Sequence, residues 1–157
     1  MKADPDLWKR IEAFALDEDE AELKFSKRLA RENGWQIDFA RRGIEEYKRF
    51  CYLAVVAGHE VTPSDEVDQA WHLHLVYTRN YWDEFCAKVL GKPLHHGPTK
   101  GGVKERRRYD ENYVATVESY KREFGSYPPE DIWPHPDIRF GQSLMAHRVN
   151  TARNWVI

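Results

Sequence analysis

Imidazoles and carboxylates hold transition metals and move protons near neutral pH, and this chain gathers several of them in one stretch. Val67-Asp68-Gln69-Ala70-Trp71-His72-Leu73-His74-Leu75 sets an acid and two histidines inside a hydrophobic run, and His95-His96 follow about two dozen residues on. A carboxylate in an apolar segment is unfavourable unless a partner holds it. Asp68 and His72 stand four residues apart, so on a helix they can touch. At about 100° per residue His74 points roughly 160° away from His72, and an unbroken helix cannot turn both rings to one ion. Cys86 shares the flank of His72 but would lie about 21 Å away along a straight axis. His95 and His96 reach that flank only if their loop folds back, and six extended residues can span about 20 Å.

With the loop returned, Asp68, His72 and one or both of His95 and His96 offer three or four oxygen and nitrogen donors. Such a set suits Zn²⁺ or another divalent transition metal, and an open position on the ion would allow water activation. His74 and Cys86 rank behind them, as supporting groups or alternative ligands. Other readings stay open. Asp68 can accept a hydrogen bond from His72 or cap backbone amides, the pair then tying two helices together. Metal-free acid and base catalysis uses the same residue types, but no nucleophile motif such as G-x-S-x-G is present, and no reaction is assignable.

Two lesser features carry weaker signals. Gly97-Pro98-Thr99-Lys100-Gly101-Gly102 precedes a segment bearing Arg106, Arg107 and Arg108. Lys100 and the amides of Gly101 and Gly102 could hold an anion at a helix start, although the stretch fails the G-x-x-x-x-G-K phosphate-loop pattern. The alternative is an ordinary glycine turn with a solvated basic face. Trp133-Pro134 and Trp155 suit packing of a covering segment, or a surface offered to a protein partner.

The elements that must position these groups read as helices. Asp4-Pro5 writes a cap and a first helical proline, and Leu7, Trp8, Ile11 and Phe14 recur at helical spacing to about Leu16. The acidic run from Asp17 to Glu20 reads as a solvated helix start. Leu23 to Ala30 predict a second helix stopped at Asn33-Gly34. A third runs from Ile37 through Gly58. Thr62-Pro63-Ser64-Asp65 supplies a capping hydroxyl, a proline and an acid, opening a fourth helix to about Leu90 that is long enough for a kink or break. Its core stripe is predicted as Val67, Trp71, Leu75, Thr78, Trp82 and Phe85, and its apolar first half implies that the polar side chains there are buried. Tyr113 to Phe124 form a fifth helix closed by Gly125. Prolines 128, 129, 134 and 136 then forbid helix, leaving an extended strap pinned by Trp133 and Phe140. The expectation is an all-α single-domain bundle of about five helices over 1–157, with a core of about 4–125 and a Pro/Trp-rich C-terminal strap over 126–157.

Composition bounds the partners. Aromatics make up 13% of the chain, including six Trp, so flat rings must supply much of the core. The 24 basic and 26 acidic residues nearly cancel, and net charge therefore gives no support for nucleic acid or an anionic membrane as partner. Cys51 and Cys86 lack CxxC spacing, and no long apolar run is present, which together suggest a soluble cytoplasmic protein with free thiols.

Pro63-Ser64, Val67-Asp68, Trp71-His72-Leu73-His74, Tyr77-Thr78, Tyr81-Trp82, Phe85-Cys86, Leu90-Gly91 and Pro93-Leu94-His95-His96-Gly97-Pro98-Thr99 resemble the bacterial family labelled glycine-rich domain-containing proteins. That family is related to a domain of unknown function in plant glycine-rich domain proteins. The resemblance extends from Arg31-Glu32-Asn33-Gly34-Trp35 and Glu46-Tyr47-Lys48-Arg49-Phe50 to Phe124-Gly125 and Asp131-Ile132-Trp133-Pro134. It implies a soluble helical module with its distinctive residues around Asp68, His72, His74, Cys86 and His95, and brings no established activity. Plant relatives join the domain to glycine-rich tails and are associated with RNA binding. This chain has nine glycines and no such tail, so the RNA association is not carried over.

Overall fold

The computed structural model describes residues 2–97 and 101–137. Those residues form six helices and no strand, as the all-α reading expects. Helix α1 (Pro5–Ala13) opens as its sequence dictates, with the Asp4 carboxylate accepting from the Leu7 amide. It stops at Ala13 rather than near Leu16, because the chain extends at Phe14 and drops into a turn ending on Asp17. That carboxylate accepts from both the amide (2.7 Å) and the hydroxyl (2.6 Å) of Ser26 in α2 (Phe25–Asn33). The acidic run thus contributes a cap as well as a solvated face.

Helix α3 (Ile37–Val56) touches every other helix and is the spine of the core. Tyr47, Phe50, Cys51, Tyr52 and Leu53 are all buried along it. Helix α4 (Asp65–Val76) begins with Ser64, whose hydroxyl accepts from the Val67 amide at 3.1 Å. Thr62, the other hydroxyl in the start signal, serves differently: its amide donates to Thr116 Oγ1.

The fourth helix does not run unbroken to Leu90. Tyr77, at φ −84° and ψ 67°, leaves the helical region, its amide closing the last turn on the His74 carbonyl. The chain re-enters as a π-helix (Asn80–Leu90), with i→i+5 hydrogen bonding in place of i→i+4. At its end the amides of Gly91 and Lys92 both reach the Cys86 carbonyl, at 2.9 and 3.2 Å. The wider winding puts residues four and five apart on one face, so Tyr81, Phe85, Cys86 and Leu90 are buried while Thr78 is exposed. Of the predicted stripe, Val67, Trp71 and Phe85 are buried and Leu75 and Trp82 pack half-buried against the core, whereas Thr78, at the break, is exposed.

Helix α5 (Val103–Phe124) packs on α3. The strap that follows is pinned as expected at Trp133, whose indole donates to the buried Glu46 carboxylate. Arg42 of α3 grips Asp131 through two nitrogens at 2.6 and 2.8 Å. Phe140 and Trp155 lie outside the described residues, as do Pro98, Thr99 and Lys100. No described helix is long and apolar enough to cross a membrane.

Candidate functional site

The loop after the π-helix returns to α4, and its return can be traced bond by bond. Gly91 turns the chain with φ 76°, a left-handed conformation that L side chains resist. Tyr81 then fixes the loop: its hydroxyl accepts from the Trp71 indole at 2.8 Å and donates to the Leu94 carbonyl. Two residues further on, the His96 ring lies on Trp71, centroids 4.4 Å apart. These contacts bring His96 to the flank that carries Asp68 and His72.

Three donor atoms converge there. His96 Nε2 is 2.7 Å from Asp68 Oδ1 and 2.9 Å from His72 Nε2, and His72 Nε2 is 3.4 Å from Asp68 Oδ2. Proton counting makes this an awkward set without a cation. Each ring nitrogen carries at most one hydrogen. If both Nε2 atoms are protonated and serve the carboxylate, two N–H groups face each other at 2.9 Å. If only His96 is, its hydrogen serves Asp68 and the lone pair of His72 is left against a nitrogen. A single cation placed among the three atoms satisfies all of them. Donors bound about 2.0–2.2 Å from a common ion stand roughly 3 Å apart in an octahedral shell and roughly 3.4 Å apart in a tetrahedral one, so the three atoms, 2.7, 2.9 and 3.4 Å apart, need to separate only slightly to enclose it.

The other expected residues go elsewhere. His95 is exposed and lies against Trp82, ring centroids 5.2 Å apart; it borders the same groove but is not one of the three converging donors. His74 is fully buried on the opposite side of α4, as its azimuth predicts, enclosed by Phe14, Phe25, Tyr47, Tyr81 and Phe85. Its Nδ1 lies 2.7 Å from the Tyr47 hydroxyl and its Nε2 2.7 Å from Asn80 Oδ1, so both nitrogens are used in holding α3, α4 and the π-helix together. Burial pushes its pKa down to about 4, keeping the ring neutral. Cys86 is buried beside Tyr81 and the Leu94 backbone, and burial raises its thiol pKa. It does not join the cluster.

The expectation that the polar side chains in the first half of the fourth helix are buried holds for His74 and needs correction for Asp68 and His72. The side chains of Asp68 and His96 are 24% exposed and that of His72 is 51% exposed. The cluster forms one wall of a groove of about 890 Å³ running between α4, the 59–63 segment, the returning loop and the start of α5. Hydrogen bonding to the Asp68 carboxylate raises the His96 pKa. Gly101 and Gly102 border the same groove, and so do Arg106, Arg108 and His59, which the sequence reading did not single out as site residues. Trp71 and Tyr81 were visible only as apolar or flanking residues. On a straight helix they would stand about 15 Å apart along the axis and about 80° apart around it, so no spacing rule joins them.

Fold and site together define an all-helical domain with an Asp/His cluster at the rim of a groove. The chain belongs to the UCP032817-like family, whose model matches residues 9–116. It is also similar to glycine-rich domain-containing protein 1 of Arabidopsis thaliana, with 23% identity over 155 residues. That match covers 77% of this chain and 19% of the plant protein, so the chain spans about a fifth of that relative's length. The resemblance to glycine-rich domain proteins read from the sequence is borne out. No solved structure matches the chain.

Proposed function

We propose that the protein is a metal-binding domain in which Asp68, His72 and His96 hold one divalent transition ion. The observation that carries this reading is the convergence of three donor atoms, all within 4.8 Å of one another, from two separate stretches of chain. Two imidazoles and one carboxylate form the ligand set of several zinc enzymes and of non-haem iron(II) sites, both of which keep coordination positions open. Here the groove adjoins the cluster, so water or a ligand oxygen could complete the shell and be polarised by the ion.

Metal analysis of protein purified without a histidine tag, before and after incubation with zinc and, under anaerobic conditions, with iron(II), tests the reading. About one equivalent should be retained by the wild type and by His95→Ala, and lost from His96→Ala. Retention by His96→Ala, or no retention by the wild type, overturns it.

A second reading has its own support. The 2.7 Å bond between Asp68 and His96 closes the loop onto α4 with no ion, and a non-catalytic module could use the pair as a tether. In that case His96→Ala lowers stability equally with and without added metal. Of the described strap residues, Ile132 and Trp133 are buried in the core and not offered to a partner, whereas Tyr127 is exposed.

A further inference from the structure

The groove holds an imbalance among its charged side chains. Arg108 is engaged by Glu105 at 3.2 Å and by Glu60 at 3.6 Å. Arg106, half-buried in the same wall, has no carboxylate partner among the described residues. A guanidinium presents five donors in a rigid fork that fits an oxyanion through two parallel bonds, and partial burial without an acid leaves that fork to be satisfied by a ligand or by water. Glu60, Asp68 and Asp110 line the groove with Arg106 and Arg108, and Glu105 pairs with Arg108, so a bound divalent ion with neutral ligand histidines brings the local charge to neutral and removes the excess of acid that would repel an anion. Phe50, Ala54, Trp71 and Leu94 add apolar surface to the wall. A volume of about 890 Å³ falls in the range of roughly 300–1,000 Å³ typical of small-molecule sites.

We infer that the groove takes a small organic oxyanion, a phosphate ester or a carboxylate, gripped by Arg106 while one of its oxygens approaches the Asp68, His72 and His96 centre. The inference rests on the metal reading of that centre. Phosphate and carboxylate share the chemistry that Arg106 recognises, and two probes separate them.

Zinc-loaded protein is titrated calorimetrically with inorganic phosphate and, separately, with acetate. One of the two should bind in the millimolar range or tighter. Arg106→Gln should weaken that binding about tenfold or more, the loss of a charge-assisted pair, with zinc content and melting temperature unchanged. Arg106→Lys, which keeps the charge and loses the fork, should fall between. Binding of neither probe to zinc-loaded wild type overturns the inference, as does equal binding by wild type and Arg106→Gln. Failure of the metal reading shows separately, as wild-type protein that retains no zinc. The same titrations on that metal-free protein then decide the anion site alone: it stands if phosphate or acetate binding depends on Arg106, and falls otherwise.

Discussion

A tyrosine hydroxyl can accept one hydrogen bond and donate another, and Tyr81 does both, joining the Trp71 indole to the Leu94 carbonyl. Removing that oxygen strands a buried donor and an acceptor, each worth about 1–3 kcal/mol when left unsatisfied. Tyr81→Phe should therefore destabilise the fold by about 2–4 kcal/mol, the half-buried Leu94 carbonyl losing less than the buried indole, and, because Leu94 sets the path to His96, lower zinc affinity about 10- to 100-fold, as loss of groups that orient ligands does. Unfolding in urea and a competitive zinc titration read the two effects; unchanged affinity would detach Tyr81 from the centre. His74 makes a different prediction, one of pH. Its folded-state pKa is about 4 against an ordinary 6.5, so below pH 6.5 the unfolded chain takes up a proton that the fold refuses. Stability is complete above 6.5 and is lost as pH falls toward 4, by about 2 kcal/mol between pH 7 and pH 5. His96 acts with the opposite sign: its pKa, raised by the hydrogen bond to Asp68, adds stability at low pH that fades as pH rises through the folded value. Comparison with His74→Gln isolates the buried ring, because only the wild type should show the steeper acid-side loss. Parallel pH profiles would contradict it.

Among the elements, the break at Tyr77 and the π-helix beyond it decide whether the centre exists. Their i→i+5 ladder ends with two amides on the Cys86 carbonyl, which aims Gly91 and the loop back toward α4. Deleting the exposed Ala87 takes out one residue and rotates all that follows by roughly 80°, the step of the wider π winding. Circular dichroism should show the helical content kept while zinc binding falls at least about tenfold, since the loop then leaves α4 at the wrong azimuth. A variant that folds and binds zinc as tightly as wild type would show that the winding is incidental. This is also where sequence reasoning reached its limit. Helix starts and stops at Asp4, Asn33-Gly34 and Gly125 were legible because capping is local chemistry. The opposed azimuths of His72 and His74 were legible because both fall before the break. The choice of His96 over its neighbour His95 was not, since it depends on a hydrogen bond from Tyr81 to Leu94 that no periodicity contains. The same holds for Arg106, which enters the groove only because α5 starts beside it.

At the scale of the whole molecule, the strap and the groove are held by different parts of α5. Arg106, Arg108, Tyr109 and Asp110 of α5 border the groove, whereas Tyr113 and Tyr120 meet Trp133. The anchor for the strap is Glu46, a buried carboxylate whose pKa is raised by burial. It accepts from Arg49 at 2.9 Å, Tyr120 at 2.9 Å and Trp133 at 3.1 Å, so the centre of α3, the end of α5 and the strap share one acceptor. Trp133→Ala empties the space beside the two tyrosine rings and removes one of those donors. A buried tryptophan truncated in this way costs about 3–5 kcal/mol, a large part of the roughly 5–15 kcal/mol that a whole domain commands, and should lower the melting temperature by about 10 °C. Trp133→Phe keeps most of the ring and loses only the donor, so about 1–2 kcal/mol should go. Because none of the described strap residues borders the groove, the fraction of Trp133→Ala that stays folded should retain zinc at the wild-type ratio. Calorimetric melting alongside metal analysis of the folded protein checks both halves: a melting point that does not move would dismiss the anchor, and zinc lost from folded protein would mean that strap and centre are coupled through α5.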